Sequence, residues 1–178
     1  MTDELQDNAP WWCVIGWHRG QKFFTTALYY KTAADVLFDE FRRNRYDGRE
    51  FPWLFCWRHT FELILKAVLD RQKRSASQME NLLNTCGHGL RSLYAEAKRQ
   101  VPQLCDSQID GVITFLDETD PTGMALRYPH SKKGKDLLNQ TGFDPLEKRN
   151  EFGQAWESIC SWGVDFPCEN SGAAERGS

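Results

Sequence analysis

The stretch FPWLFCWRHTFELILKAVLDRQ, from Phe51 to Gln72, restricts what this chain can fold into more than any other feature. Wound as a helix at about 100° per residue, it is apolar around about two-thirds of its circumference, while Arg58, His59, Glu62, Lys66 and Asp70 share one arc of about 120°. A helix patterned in this way needs partners on most sides. Pro52 suits a first helical turn, so the pattern predicts a central helix from Pro52 to about Lys73.

The rest of the chain supplies the partners. Apolar residues at three- and four-residue steps (Phe23, Ala27, Tyr30, Ala34, Leu37, Phe38, Phe41) predict a first helix over 22–44, closed by Arg42, Arg43 and Arg45 and followed by an Asp47-Gly48 turn. Residues 74–86 read as a polar connection with at most one short helical turn. Beyond Gly87-His88-Gly89, the stripe Leu90, Leu93, Tyr94, Ala97 and Val101 predicts a further helix. Ile109, Val112, Ile113 and Leu116 predict another from about Asp106 to Thr119. Asp144, Pro145 and Glu147 form a helix-start signal, with Asp as N-cap and Pro at the first helical position, ahead of the stripe Phe152, Ala155, Trp156, Ile159 and Cys160.

The expected architecture is an all-α, up-and-down bundle of four to five helices, with a long loop or short β excursion over 120–143 before the last helix. At 178 residues, 40% apolar and 13% aromatic, the chain suffices for one packed domain. Its expected divisions are a lead-in over 1–21 containing WWCVIGW, a helical domain over 22–162, and a disordered tail over 163–178. No apolar run is long enough to span a bilayer, and the acidic opening MTDELQDNAP is not expected to serve as a signal peptide. The six cysteines are scattered without a Cys-x-x-Cys pair, and Cys56 and Cys160 read as core thiols. A cytoplasmic, reduced protein with neither metal nor cofactor is the expectation. A net charge of −3 gives no overall attraction to nucleic acid, so any such binding needs a local basic patch.

Two interpretations of the polar arc stand side by side. Arg58, Glu62, Lys66 and Asp70 form an i,i+4 ladder of alternating sign, and periodicity alone favours a solvated face laced by ion pairs. Histidine adds nothing to such a ladder, however, and Phe55 and Leu69 share its arc, so a half-buried stripe at a cleft or subunit interface also fits. His88, between two glycines at a helix start, is either a turn residue or a proton acceptor kept neutral by the helix N-terminus. His18 and His130 fall in loops. SKKGKD lacks the upstream glycine of a phosphate loop, and neither Gly-x-Ser-x-Gly nor His-Glu-x-x-His occurs.

The order of these pieces resembles the HEPN-like proteins of bacteria: RHTFELILKAVL, then HGLRSLYAEAK, then ALRYPHSKKGK. The first pattern falls on Arg58, His59, Glu62, Leu63, Leu65 and Lys66, the second on His88, Leu90 and Leu93, and the likeness spans residues 22–162. It implies a helical bundle that commonly dimerises and, in many members, a metal-independent ribonuclease of phage-defence or toxin–antitoxin systems. In those members an Arg and a following His from each subunit meet at a dimer cleft. Here no histidine has an Arg four to six residues before it, so that constellation is missing.

One reading consistent with the resemblance is an RNA-directed effector. His59 and His88 would transfer protons and Glu62 would orient one of them. Arg58, Lys66, Arg91, Arg127, Lys132, Lys133 and Lys135 would hold phosphate. The other is a non-catalytic dimeric module that binds a partner protein or nucleotide, using exposed aromatic residues such as Trp11, Trp12 and Trp17.

Overall fold

A computed structural model of the chain describes residues 23–44, 50–72, 75–128 and 142–162. All regular structure among them is helical: α1 (Phe23–Asn44), α2 (Glu50–Arg71), α3 (Ala76–Cys86), α4 (Leu90–Gln100), a 3-10 turn (Pro102–Leu104), α5 (Ser107–Thr119) and α6 (Pro145–Ser161). Helix α2 is the axis of the bundle and packs against α1, α4, α5 and α6. Its apolar circumference demands this arrangement, and fifteen of its residues, Trp53 through Leu69 with few gaps, are buried.

The aromatic content is concentrated in the core. Phe152 of α6 lies with its ring centroid 5.6 Å from Trp53, 5.4 Å from Trp57, 6.3 Å from Phe61 and 6.0 Å from Phe115. These separations and tilts are those at which ring quadrupoles attract, so one side chain joins α6 to both α2 and α5. The helix starts are fixed by side chains as the sequence indicates. Asp106 accepts from the Gln108 N–H and Asp144 from those of Leu146 and Glu147, with Pro145 in the first turn. Ser158 Oγ donates to the second oxygen of Asp106 at 3.1 Å, tying α6 to the start of α5.

Six α-helices stand where four to five were expected, because the polar connection contains α3. Ser75 accepts from the Gln78 N–H at 3.2 Å, and the Gln78 side chain accepts from the Ser75 N–H at 3.0 Å, a reciprocal capping box. Met79 and Leu82 are buried beneath it. Gly87, with φ of 57°, ends the helix in a backbone conformation that favours glycine. Of the segment expected to be a long loop, residues 120–128 form turns. The WWCVIGW segment, the Asp47-Gly48 turn, His18, His130, Lys132, Lys133, Lys135 and the tail lie outside the described residues.

Candidate functional site

The polar arc of α2 is not a solvated ladder. Arg58 and Glu62 are each 2% exposed and Lys66 8%, leaving Asp70 alone of the alternating series in solvent. The expectation of a wet face fails because the arc is covered by chain that arrives from elsewhere, namely His88 ahead of α4 and the turn that follows α5. Glu62 is the hub. Its Oε1 accepts from Lys66 Nζ at 2.7 Å and contacts His88 Nδ1 at 2.7 Å, while its Oε2 accepts from Arg58 Nη1 at 3.2 Å. His59 Nδ1 lies 3.8 Å from Oε2, beyond hydrogen-bond reach but within that of a charge interaction.

Arg58 spends its donors inside the molecule. Nε donates to the carbonyl of Asp120 at 2.8 Å and Nη2 to the carbonyl of His88 at 2.7 Å, and the Asp120 carboxylate is 3.7 Å from Nε. One guanidinium therefore clamps the turn before α4 and the turn after α5 onto the central helix. The second turn is itself built by Asp120, fully buried, whose carboxylate accepts from the N–H groups of Met124, Ala125 and Leu126 at 2.8, 2.9 and 3.3 Å. Gly123 completes the fit. Its φ is +72°, and a Cβ there would stand 2.9 Å from Arg58 Nη1.

The cluster is thus electrically closed. The cations Arg58 and Lys66 match the carboxylates Glu62 and Asp120, all four buried, so the cost of removing charge from water is met by mutual pairing. Burial alone would push the Glu62 carboxyl up. The nearby His59 imidazole, the hydrogen bond and charge of Lys66 and the hydrogen bond of His88 outweigh it and hold the group far below its ordinary value of 4.5. An ionised carboxylate only accepts, so His88 Nδ1 must carry the proton in this contact. In the neutral ring Nε2 is then the free proton acceptor, on a side chain that is 66% exposed. A buried carboxylate that fixes the tautomer of an accessible imidazole is the arrangement by which acid–base enzymes orient a catalytic histidine.

His59 is 28% exposed on its side chain and held by rings: Tyr30 edge-on at 4.4 Å and Phe55 stacked at 5.8 Å. Arg127 is placed over the other end of this patch, its guanidinium carbon 5.6 Å from the Phe55 centroid and 5.9 Å from that of Tyr128, with Nε and Nη2 donating to the Gly123 carbonyl at 2.9 and 2.6 Å. Arg91 belongs to a different neighbourhood, paired with Glu118 at 2.7 Å and near Asp117 at 3.5 Å.

Five of the residues singled out from sequence therefore converge: Arg58, His59, Glu62, Lys66 and His88. Arg127 joins them through Phe55, and Arg91 stands apart. Phe55, already placed on the arc, completes the site together with Asp120, Gly123 and Tyr30, which were not foreseen in it. The Asp-Pro-Thr-Gly run at 120–123 carries a turn signal, but nothing local says that the turn closes on Arg58. Among the described residues, no group of three or more His, Cys, Asp and Glu side chains could hold a metal ion, and no helix is long and apolar enough to cross a membrane. Comparison with protein-family models, curated proteins and solved structures gave no match.

Proposed function

We propose that this chain is a HEPN-like, RNA-directed protein that cleaves by metal-independent acid–base chemistry at His88. The observation that carries the reading is the 2.7 Å contact between buried, ionised Glu62 and Nδ1 of a largely exposed histidine. In the proposed step His88 Nε2 takes the proton of an RNA 2′-hydroxyl, whose oxygen attacks the adjacent phosphorus. The bond to the 5′-oxygen breaks, and that oxygen takes a proton from His59 in its protonated form. The products are a 2′,3′-cyclic phosphate and a 5′-hydroxyl end.

The roles of the cations shift in this account. Arg58 and Lys66, expected to hold phosphate, instead hold Glu62 and the two turns. Phosphate contact falls to Arg127, which is exposed, and to Lys132, Lys133 and Lys135, which follow it in sequence. Phe55 and Tyr128, beside Arg127, offer faces on which a base could stack.

A specific observation favours a second reading, a non-catalytic module that pairs with another copy or a partner protein. Its core charges are already satisfied within the chain, and Tyr29, Phe51 and Tyr128 are 57%, 40% and 51% exposed. RNA cleavage separates the two. In EDTA, the wild-type protein should cut single-stranded or transfer RNA and leave cyclic-phosphate ends. His88→Gln, altered at an exposed side chain, should fold normally and lose about 10²-fold or more of the rate. No cleavage by folded wild-type protein would reject the catalytic reading in favour of the module.

A further inference from the structure

The turn that follows α5 presents large side chains to solvent on a backbone that is already fixed. Met124 and Tyr128 are 41% and 51% exposed, and Arg127, between them in sequence, is exposed as well. The Met124 carbonyl accepts from the N–H groups of Arg127 and Tyr128 at 3.1 and 3.0 Å, and buried Asp120 holds those of Met124, Ala125 and Leu126. The Arg127 side chain is locked too. Its Nε and Nη2 donate to the Gly123 carbonyl, and Nη2 also lies 3.1 Å from Met124 Sδ. A surface whose side chains are ordered beforehand loses little freedom when a ligand settles on it.

The way Arg127 is held restricts what it can recognise. A guanidinium grips a carboxylate or phosphate most strongly through two parallel N–H groups of its fork. The Nε–Nη2 edge of Arg127 is spent on Gly123, so that edge is closed to a ligand. What remains is Nη1, which has no partner among the described residues, and a flat cation beside the rings of Phe55 and Tyr128. Phe55 in turn stacks with His59, so the row of rings leads from Tyr128 toward the Glu62–His88 pair. A partner protein's carboxylates would be met best by an open fork, which this arginine does not offer. A nucleic-acid strand matches what it does offer, since each base supplies a flat face and each phosphate a single accepting oxygen. In a duplex those faces are hidden in the base stack, so a platform of this kind takes only a base that stands free of it.

We infer that Tyr128 and Arg127 form a stacking platform for one unstacked base, with Nη1 on a neighbouring phosphate, and that the strand taken at this site is therefore single. The inference rests on the RNA-directed part of the proposed function and not on cleavage at His88. The test uses a 2′-O-methyl RNA oligonucleotide, which has no 2′-hydroxyl proton to lose and so binds without being cut. Its affinity for the full chain is measured by fluorescence anisotropy, once as the single strand and once annealed to its complement. The expected result is binding of the single strand tighter by about tenfold or more, weakened about fivefold or more in Tyr128→Ala and retained in Tyr128→Phe. Arg127→Ala should weaken it as well and flatten its dependence on salt. Equal affinity for the duplex, binding of neither form, or binding unchanged in Tyr128→Ala would overturn the inference. So would a chain that self-associates through Tyr128 and does not bind the strand. The result is separable from that of the cleavage experiment. RNA cut equally by wild type and Tyr128→Ala, with strand affinity also unchanged, would keep His88 and remove the platform, whereas tight single-strand binding without cleavage would do the reverse.

Discussion

Glu62 shows how far a single side chain can depart from what its spacing implies. Four residues from Arg58 and four from Lys66, it reads as one rung of a surface ladder, yet it is 2% exposed and in contact with His88 from outside its helix as well as with both of those neighbours. The identities and the i,i+4 contacts were legible in the sequence. The burial was not, since it depends on His88 and Asp120, 26 and 62 residues from their α2 partners. A pH dependence follows. The folded-state pKa lies below the ordinary 4.5, so between those values the unfolded chain binds the extra proton and stability rises with pH. This contribution is fully present above about pH 4.5 and is lost as pH falls toward the folded-state value. Urea midpoints measured from pH 7 down to pH 3 should show that fall, and Glu62→Gln, less stable at neutral pH, should show a flatter acid limb. An acid limb unchanged by the substitution would contradict the assignment.

At the scale of elements, legibility followed locality. Helix α6 announces itself with Asp144, Pro145 and a full apolar stripe, and it begins at Pro145 as expected. Helix α3 carried a signal of the same kind, Ser75 with Gln78 three residues on and Met79 and Leu82 beyond, but it was masked by the polar residues around it. The turn over 120–128 is the least local element, because its conformation is set by Asp120 from within and by Arg58 from outside. Gly123 is where the two meet. Alanine there combines an unfavourable positive φ with a Cβ 2.9 Å from a guanidinium each of whose three nitrogens is already hydrogen-bonded. Gly123→Ala should lower stability by about 1–3 kcal/mol in urea unfolding. A neutral result would mean that the turn does not close on Arg58 as described.

At the scale of the whole molecule, the bundle brings together stretches whose order along the chain is the basis of the HEPN-like resemblance. Arg58, His59, Glu62 and Lys66 from α2, His88 from ahead of α4 and Arg127 from beyond α5 form one neighbourhood, while α6 and α1 enclose a separate groove on other residues. The all-α class and the central position of α2 were readable from hydrophobic periodicity, since a helix apolar on most sides has to be surrounded. Which turns close over its polar arc was not, because that is decided by tertiary packing and leaves no periodic trace. The proposed chemistry depends on this closure at one atom, Nδ1 of His88. The most direct test is heteronuclear NMR of the imidazole nitrogens at neutral pH. The expected result is a proton on His88 Nδ1, with the neutral ring in the Nδ1–H tautomer and a change toward Nε2–H in Glu62→Gln. A neutral His88 ring protonated on Nε2 in the wild-type protein would contradict the Glu62–His88 contact and the acid–base role built on it.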